Sequence, residues 1–136
     1  MKITKRFHFC ASHRLRNPRL TGAENRRLFG QCHEPHGHNF ILDITVEGHV
    51  DPRTGMVINF NALKKIVERH VIRGLDHKDF SRDVPEFRRR VQTAENLALI
   101  IWARLAPRMP EKVALSRIRL YETENNWAEC GPGDAA

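Results

Sequence analysis

Side chains in three long stretches of this chain alternate between apolar and polar, and this pattern constrains the fold more than any other feature. The stretches are residues 2–13, 38–50 and 113–125. Successive side chains of a β-strand point to opposite faces, so a period of two is typical of a strand that is buried on one face. On the predicted buried face lie Phe7, Phe9, Ala11 and His13, then Phe40, Leu42, Ile44 and Val46, and finally Ile118, Leu120 and Glu122. The sequence therefore predicts three long strands, to which NWAEC at 126–130 adds a short fourth.

Apolar residues at helical spacing predict two helices between the second and third long strands. The first begins after Asn59 or Asn61, either of which suits an N-cap, and stops at Gly74. The second has Thr93 as its predicted N-cap and ends at Pro107. Their buried stripes are predicted to contain Leu63, Ile66, Val67 and Val71, and Leu97, Ala98, Ile101, Trp102 and Leu105.

Turn-rich segments connect these elements. The DPRTG turn at 51–55 followed by MVINF at 56–60 predicts a hairpin with the second strand. Residues 16–35 and 75–91 break every period and are predicted to be long loops, which are usually functional or disordered.

The order of elements predicts an α+β fold. Strands and helices are segregated along the chain, which favours an antiparallel four-stranded sheet with two helices on one face. The length of 136 residues suits a single domain over 1–136. The other face and the edges of such a sheet need cover, so we expect an oligomer.

Composition limits the partners. Three cysteines are too few for a disulfide scaffold and predict reduced thiols, and no apolar run is long enough for a secretion signal or a membrane span, so we expect a cytoplasmic protein without membrane contact. The net charge of +7 attracts anions such as nucleic acid or phosphorylated small molecules. The basic clusters RLRNPR, NRR and FRRR lack interleaved aromatic residues, which favours a solvated surface and no nucleic-acid partner.

Three histidines predict a metal site. His36 and His38 are two residues apart at the start of a strand, so both imidazoles point to the same side. His13 ends the first strand on its apolar face, where an imidazole without a partner would be costly, and is the candidate third ligand. Three histidines with an open fourth position are typical of catalytic zinc. The alternative is that ordinary hydrogen bonds satisfy these rings.

Other polar residues suggest chemistry beside that metal. Cys32 lies four residues before His36 in a polar loop, where a neighbouring cation would favour the thiolate as a base, although free cysteine more often packs as a small apolar residue. Asp76 and His77 are adjacent and could address a common third group. Glu122 lies on the apolar face of the last long strand, so its carboxylate needs a partner: a heterocycle or, equally, an arginine. Cys10 and Cys130 are interpreted as structural.

The segments FCASHRL, CHEPHGHNF, LDHK, QTAEN and YETENN, in this order from about residue 3 to residue 127, resemble those of the 6-pyruvoyl- and 6-carboxy-tetrahydropterin synthase family. The resemblance implies a tunnelling fold, in which the sheets of trimers close into a β-barrel and two trimers form a hexamer. It implies Zn²⁺ held by His13, His36 and His38, with 7,8-dihydroneopterin triphosphate as the substrate. It also implies roles for the remaining site residues: Cys32 as the proton-abstracting thiolate, Asp76 and His77 as a relay across a subunit boundary, and Glu122, Thr93 and Glu95 as pterin-binding residues.

The segment before the HGH motif separates the branches of this family. Three residues separate Cys32 from the motif, and this spacing resembles that of the enzymes that form 6-carboxy-tetrahydropterin with loss of triphosphate and acetaldehyde in queuosine-type synthesis. We therefore expect that reaction. AENRRLFGQC and TGMVINF resemble the pyruvoyl enzymes, and Glu34 resembles a residue of a branch that cleaves the side chain to 6-hydroxymethyl-dihydropterin, so both remain alternatives. A zinc-stabilised nucleic-acid-binding module is the alternative from another class.

Overall fold

The computed structural model describes residues 1–134, and its centre is a five-stranded mixed sheet. The strands are Lys2–His13 (β1), His36–Gly48 (β2), Lys78–Asp79 (β3), Val113–Thr123 (β4) and Asn126–Cys130 (β5). Their order is β3-β1-β2-β4-β5. The four predicted strands pair antiparallel, and the two-residue β3 adds a parallel edge beside β1 that is too short to show alternation. The predicted domain over 1–136 includes residues 135 and 136, which lie outside the described residues.

Helices join the strands, and the two predicted helices, α2 and α5, begin at predicted caps. They are Gly22–Phe29 (α1), Phe60–Val67 (α2), Arg73–Leu75 (α3), Phe80–Asp83 (α4) and Ala94–Leu105 (α5), with 3₁₀ turns at Gly30–His33, Pro85–Arg89 and Ala106–Arg108. The Asn59 side chain caps α2 by accepting a hydrogen bond from the Asn61 N–H at 2.7 Å. A π turn at Glu68–Ile72 joins α2 to α3, so the helical segment ends at Leu75, one residue beyond Gly74.

Three predicted connections were wrong. The predicted loop at 75–91 contains β3, α4 and the 3₁₀ turn Pro85–Arg89. The predicted loop at 16–35 contains α1, which begins with a capping box: the Thr21 hydroxyl accepts from the Glu24 N–H at 3.2 Å, and the Glu24 carboxylate accepts from the Thr21 N–H at 2.8 Å. Residues 56–60, which were predicted to pair with the second strand as a hairpin, do not form a strand. Only an isolated antiparallel β-bridge between Asp51 and Met56 forms there. The segment has no place in the sheet, because β1 and β4 occupy both edges of β2.

The core lies between one face of the sheet and the helices, as predicted. Helix α5 packs against β4 and β5, and α2 contacts β1. The alternating apolar residues of β1, β2 and β4 are buried beneath them. The opposite face is polar; there Arg6 binds Asp43 at 2.7 Å across β1 and β2. Within residues 1–134, no helix combines the length and the apolar character needed to cross a bilayer.

Candidate metal centre

The register of β1 and β2 brings the three predicted ligands together. His13 lies directly opposite His36, and Ala11 lies directly opposite His38. Residues that face each other across an antiparallel pair share one face of the sheet, so all three imidazoles emerge on the side that carries the core. The sequence placed them correctly, because the period of two fixes the face on which each lies.

The three rings form a compact cluster at the end of the core. Their centroids are 4.6 Å apart for His13 and His36, and 5.0 Å apart for each pair that includes His38. His13 is buried, with 2% of its surface exposed, and meets the rings of Phe40 and Phe80 edge-on. An aromatic wall therefore orients the most buried imidazole of the cluster.

Backbone carbonyls fix the tautomers of two rings. The Nδ1 atom of His13 lies 2.7 Å from the carbonyl of Gln92, and that of His36 lies 2.7 Å from the carbonyl of Glu34. A carbonyl only accepts hydrogen bonds, so each Nδ1 carries the proton and each Nε2 keeps its lone pair. Metal-binding histidines are commonly oriented by such a bond.

The Nε2 atoms of His13 and His38 are buried and have no hydrogen-bond partner among residues 1–134. The Oε1 atom of Glu122 lies 3.3 Å and 2.9 Å from them, but neither contact is aligned as a hydrogen bond. Buried nitrogens without a partner are costly, whereas a cation between them would satisfy their lone pairs. One ligand atom from each of the three histidines and Glu122 lies within 4.8 Å of every other. Three imidazoles and a carboxylate are donors that suit zinc.

Electrostatics keep these groups in the forms that bind a cation. Burial lowers the pKa of His38; Glu122 opposes this shift, and the neighbouring rings of His13 and His36 reinforce it. The adjacent His13 ring lowers the pKa of Glu122, with burial acting in the opposite direction. A neutral imidazole and an ionised carboxylate are the states that coordinate metals.

The neighbours of Glu122 within the chain were not predicted from the sequence. The predicted partners of this carboxylate were a heterocycle or an arginine, but its observed neighbours are imidazoles. β-strand alternation placed Glu122 on the face of Leu120, whereas its distance from the histidines depends on the pairing of β4 with β2, which the sequence does not specify.

Cys32 and Glu34 lie in the short segment that precedes His36 and the start of β2. Cys32 lies in the 3₁₀ turn Gly30–His33 and is exposed, and its carbonyl accepts from the Leu15 N–H at 2.7 Å, two residues beyond His13. Because its thiol is exposed, Cys32 does not pack as a small apolar residue within the chain. The Glu34 side chain is also exposed, and its main chain orients His36.

Asp76 and His77 lie together but contact Cys10 within the chain. The Asp76 carboxylate accepts from the Cys10 N–H at 3.0 Å and lies 3.0 Å from Nδ1 of His77. The Cys10 N–H lowers the pKa of Asp76, and His77 reinforces the shift. His77 has a φ of 58° and donates its N–H to the Cys10 carbonyl at 2.7 Å, so the sharp turn that lets adjacent side chains meet is present. Cys10 was not predicted to join this pair.

Thr93 and Glu95 lie at the start of α5. The Thr93 hydroxyl accepts from the Asn96 N–H at 3.2 Å and so forms the N-cap, which leaves its O–H free to donate. Glu95 is exposed in the first turn. Gln92, which holds His13, directly precedes Thr93, so this helix start lies beside the metal centre.

Comparison with known proteins identifies the family. The family model described as 6-pyruvoyl tetrahydropterin synthase matches residues 2–132. A 6-pyruvoyl tetrahydrobiopterin synthase of Pongo abelii is 46% identical over 92% of this chain and 87% of its own length. A 6-carboxy-5,6,7,8-tetrahydropterin synthase of Rickettsia typhi is 26% identical over 95% of this chain and 99% of its own.

A solved structure gives the same result for the fold. The 6-pyruvoyl tetrahydropterin synthase of Caenorhabditis elegans superposes with a TM-score of 0.92 at 32% identity, covering 98% of this chain and 96% of its own. The fold is thus that of a tetrahydropterin synthase. The chain belongs to the 6-pyruvoyl tetrahydropterin synthase family.

Proposed function

We propose that this protein is a zinc-dependent lyase that acts on 7,8-dihydroneopterin triphosphate. The observation that carries the proposal is the convergence of His13, His36 and His38, two of whose Nε2 atoms are buried without a hydrogen bond among the described residues. Membership of the pterin synthase family supports the substrate class. Bound zinc would supply a Lewis acid that polarises the side-chain oxygens of the substrate.

The favoured product is the 6-pyruvoyl pterin, formed by elimination of triphosphate. The relative at 46% identity is a 6-pyruvoyl tetrahydrobiopterin synthase, whereas the 6-carboxy relative is 26% identical. The spacing between Cys32 and the HGH motif in the sequence predicted the 6-carboxy product instead. The 6-carboxy reaction remains the second candidate, because the three residues between Cys32 and the HGH motif set where its thiol stands relative to the substrate.

Cys32 is proposed to act as the base. Its thiol is exposed, so a substrate can reach it without rearrangement of the core. As a thiolate it would take the proton from the carbon next to the polarised oxygen, and the triphosphate would then leave as an anion. Glu34 is assigned only an accessory role, since its main chain, rather than its exposed side chain, orients His36.

Glu122, Thr93 and Glu95 are proposed to bind the pterin ring. A carboxylate accepts two parallel hydrogen bonds from a guanidine-like edge, and Glu122 lies next to the imidazoles that would hold the zinc. The free O–H of Thr93 and the exposed carboxylate of Glu95 offer further polar contacts at the adjacent helix start.

Asp76 and His77 are proposed to complete the site from a second copy of the chain. Within one chain they contact Cys10, and the His77 side chain is 80% exposed, which leaves it free to reach a neighbour's Cys32. Among residues 1–134 nothing covers the polar face of the sheet, which suits closure of three sheets into a barrel and a hexamer of two trimers. Mass measurement in solution tests this assembly.

Product analysis tests the proposal. The zinc-loaded protein is incubated with dihydroneopterin triphosphate, and the products are identified by mass. We expect a pyruvoyl pterin and free triphosphate. Cys32→Ala should keep zinc and lose turnover, His36→Ala should lose both, and His49→Ala, which changes an exposed histidine outside the site, should lose neither. Normal turnover by His36→Ala would overturn the zinc mechanism, and a carboxy pterin would identify the second candidate.

A further inference from the structure

Two arginine-rich segments that are distant in sequence converge on one cavity. The cavity has a volume of about 300 Å³. Arg14 and Arg16 follow β1, whereas Arg88 and Arg90 belong to the segment that precedes α5. RLRNPR and FRRR therefore form one basic site instead of two separate solvated patches.

The charge of this cavity is not neutralised by the chain. No aspartate or glutamate of residues 1–134 lines it. Arg16, Arg88 and Arg90 are exposed, and none of them forms an ion pair within that range, whereas Arg104 binds Glu86 and Arg82 binds Asp83. Four guanidinium groups around one small cavity repel one another and attract an anion.

Arg14 is held in place before any ligand arrives. Its Nε donates to the His33 carbonyl at 2.9 Å, and its Nη2 lies 2.8 Å from His33 Nε2. Because a guanidinium only donates, His33 Nε2 accepts, and Nδ1 of the same ring donates to the Leu15 carbonyl at 3.1 Å. These bonds use two of the five N–H groups of Arg14, and the others remain for a ligand.

Gln92 connects the cavity to the metal centre. It is buried, with 8% of its surface exposed, and its Nε2 donates to the Ser81 hydroxyl at 2.8 Å. Its Oε1 accepts from the Arg14 N–H at 3.1 Å, and its main-chain carbonyl orients His13. The cavity therefore lies beside the centre, separated from it by one residue.

We propose that this cavity binds a linear polyphosphate. Planar guanidinium groups bind phosphate oxygens in pairs, and several of them match the repeated charge of a phosphate chain. A nucleic-acid strand is disfavoured, because Phe87, which also lines the cavity, is 5% exposed and offers no surface for base stacking. The anion is either the triphosphate group of the substrate or the free triphosphate released from it. This assignment of the anion rests on the proposed function, whereas the positive charge of the cavity follows from its four arginines alone.

Calorimetric titration of the zinc-loaded full-length protein with inorganic tripolyphosphate tests the site. The double variant Arg16→Glu/Arg88→Glu should weaken binding by about tenfold or more, since hydrogen bonds to charged groups are lost and repulsion is added. The control Arg27→Glu/Arg69→Glu changes the net charge equally at exposed positions away from the cavity and should bind like the parent. Zinc content and thermal unfolding verify that each variant is folded.

Kinetics separate the two sources of the anion. A higher KM for dihydroneopterin triphosphate in Arg16→Glu/Arg88→Glu, with kcat unchanged, identifies the substrate's triphosphate group. An unchanged KM with lost tripolyphosphate binding identifies the free anion. Absence of binding in the parent, or equal losses in both double variants, would overturn the proposal. If the parent forms no pterin product, the proposed function fails, while the titration still decides whether the cavity binds polyphosphate.

Discussion

Replacement of Phe40 by alanine tests how much the packing around the histidine cluster contributes to the stability of the fold. Phe40 is 1% exposed, and its ring stacks on Phe9 at 5.0 Å and lies 5.9 Å from Phe80. It also meets His38 at 5.5 Å and His13 at 6.1 Å. Truncation of a buried phenylalanine to alanine costs about 3–5 kcal/mol, a large part of the roughly 5–15 kcal/mol by which domains are stable. We expect Phe40→Ala to lose about that amount.

Phe60→Ala is the matched control, because Phe60 is 49% exposed. Surface substitutions usually change the free energy of unfolding by about 0.5 kcal/mol or less. Urea unfolding of both variants, freed of metal by a chelator and held at one protein concentration, gives the comparison. A loss in Phe40→Ala no greater than that in Phe60→Ala would refute this account of the packing around the histidines.

Three further predictions concern thiols, a helix cap and an accessory residue. Burial raises the pKa of Cys130 to about 11, so its thiol should react with a disulfide reagent only after unfolding, whereas the exposed Cys32 should react at once. The raised pKa favours the neutral thiol in the folded protein, so the contribution of this thiol to the free energy of unfolding is complete below about pH 9. Between about pH 9 and 11 this contribution is lost, by about 2–3 kcal/mol. In urea titrations across this range, Cys130→Ala should not show the loss of stability that this thiol causes. Thr21→Ala should lower the free energy of unfolding by about 1 kcal/mol in urea titrations, since the Glu24 N–H loses its partner. Glu34→Ala should retain turnover in the product assay, and loss of all activity would contradict its accessory role.

The sequence predicted the elements whose pattern is local. Alternation placed His13 on the buried face of β1, and side-chain caps marked the starts of α2 and α5. Helix α1 was missed although its capping box was a usable signal, because Pro18 and Gly22 suggested a loop. The two-residue β3 is held by its pairing with β1 and has no pattern of its own.

Features that depend on tertiary pairing were not predictable. The approach of Glu122 to the imidazoles follows from the register of β4 on β2, and that of Asp76 to Cys10 follows from the turn at His77. The arginine cavity likewise brings together segments more than seventy positions apart, from Arg16 to Arg88. No local periodicity records such contacts, so a solvated surface was the natural interpretation of these arginines.

X-ray absorption at the zinc edge, combined with metal analysis of the purified protein, tests the central claim most directly. We predict about one zinc per chain, bound by imidazole nitrogens at about 2.0–2.1 Å with oxygen in the remaining position. His38→Ala should remove the metal. A protein without zinc, or a first shell that contains the sulfur of Cys32 and so closes the open position, would contradict the account.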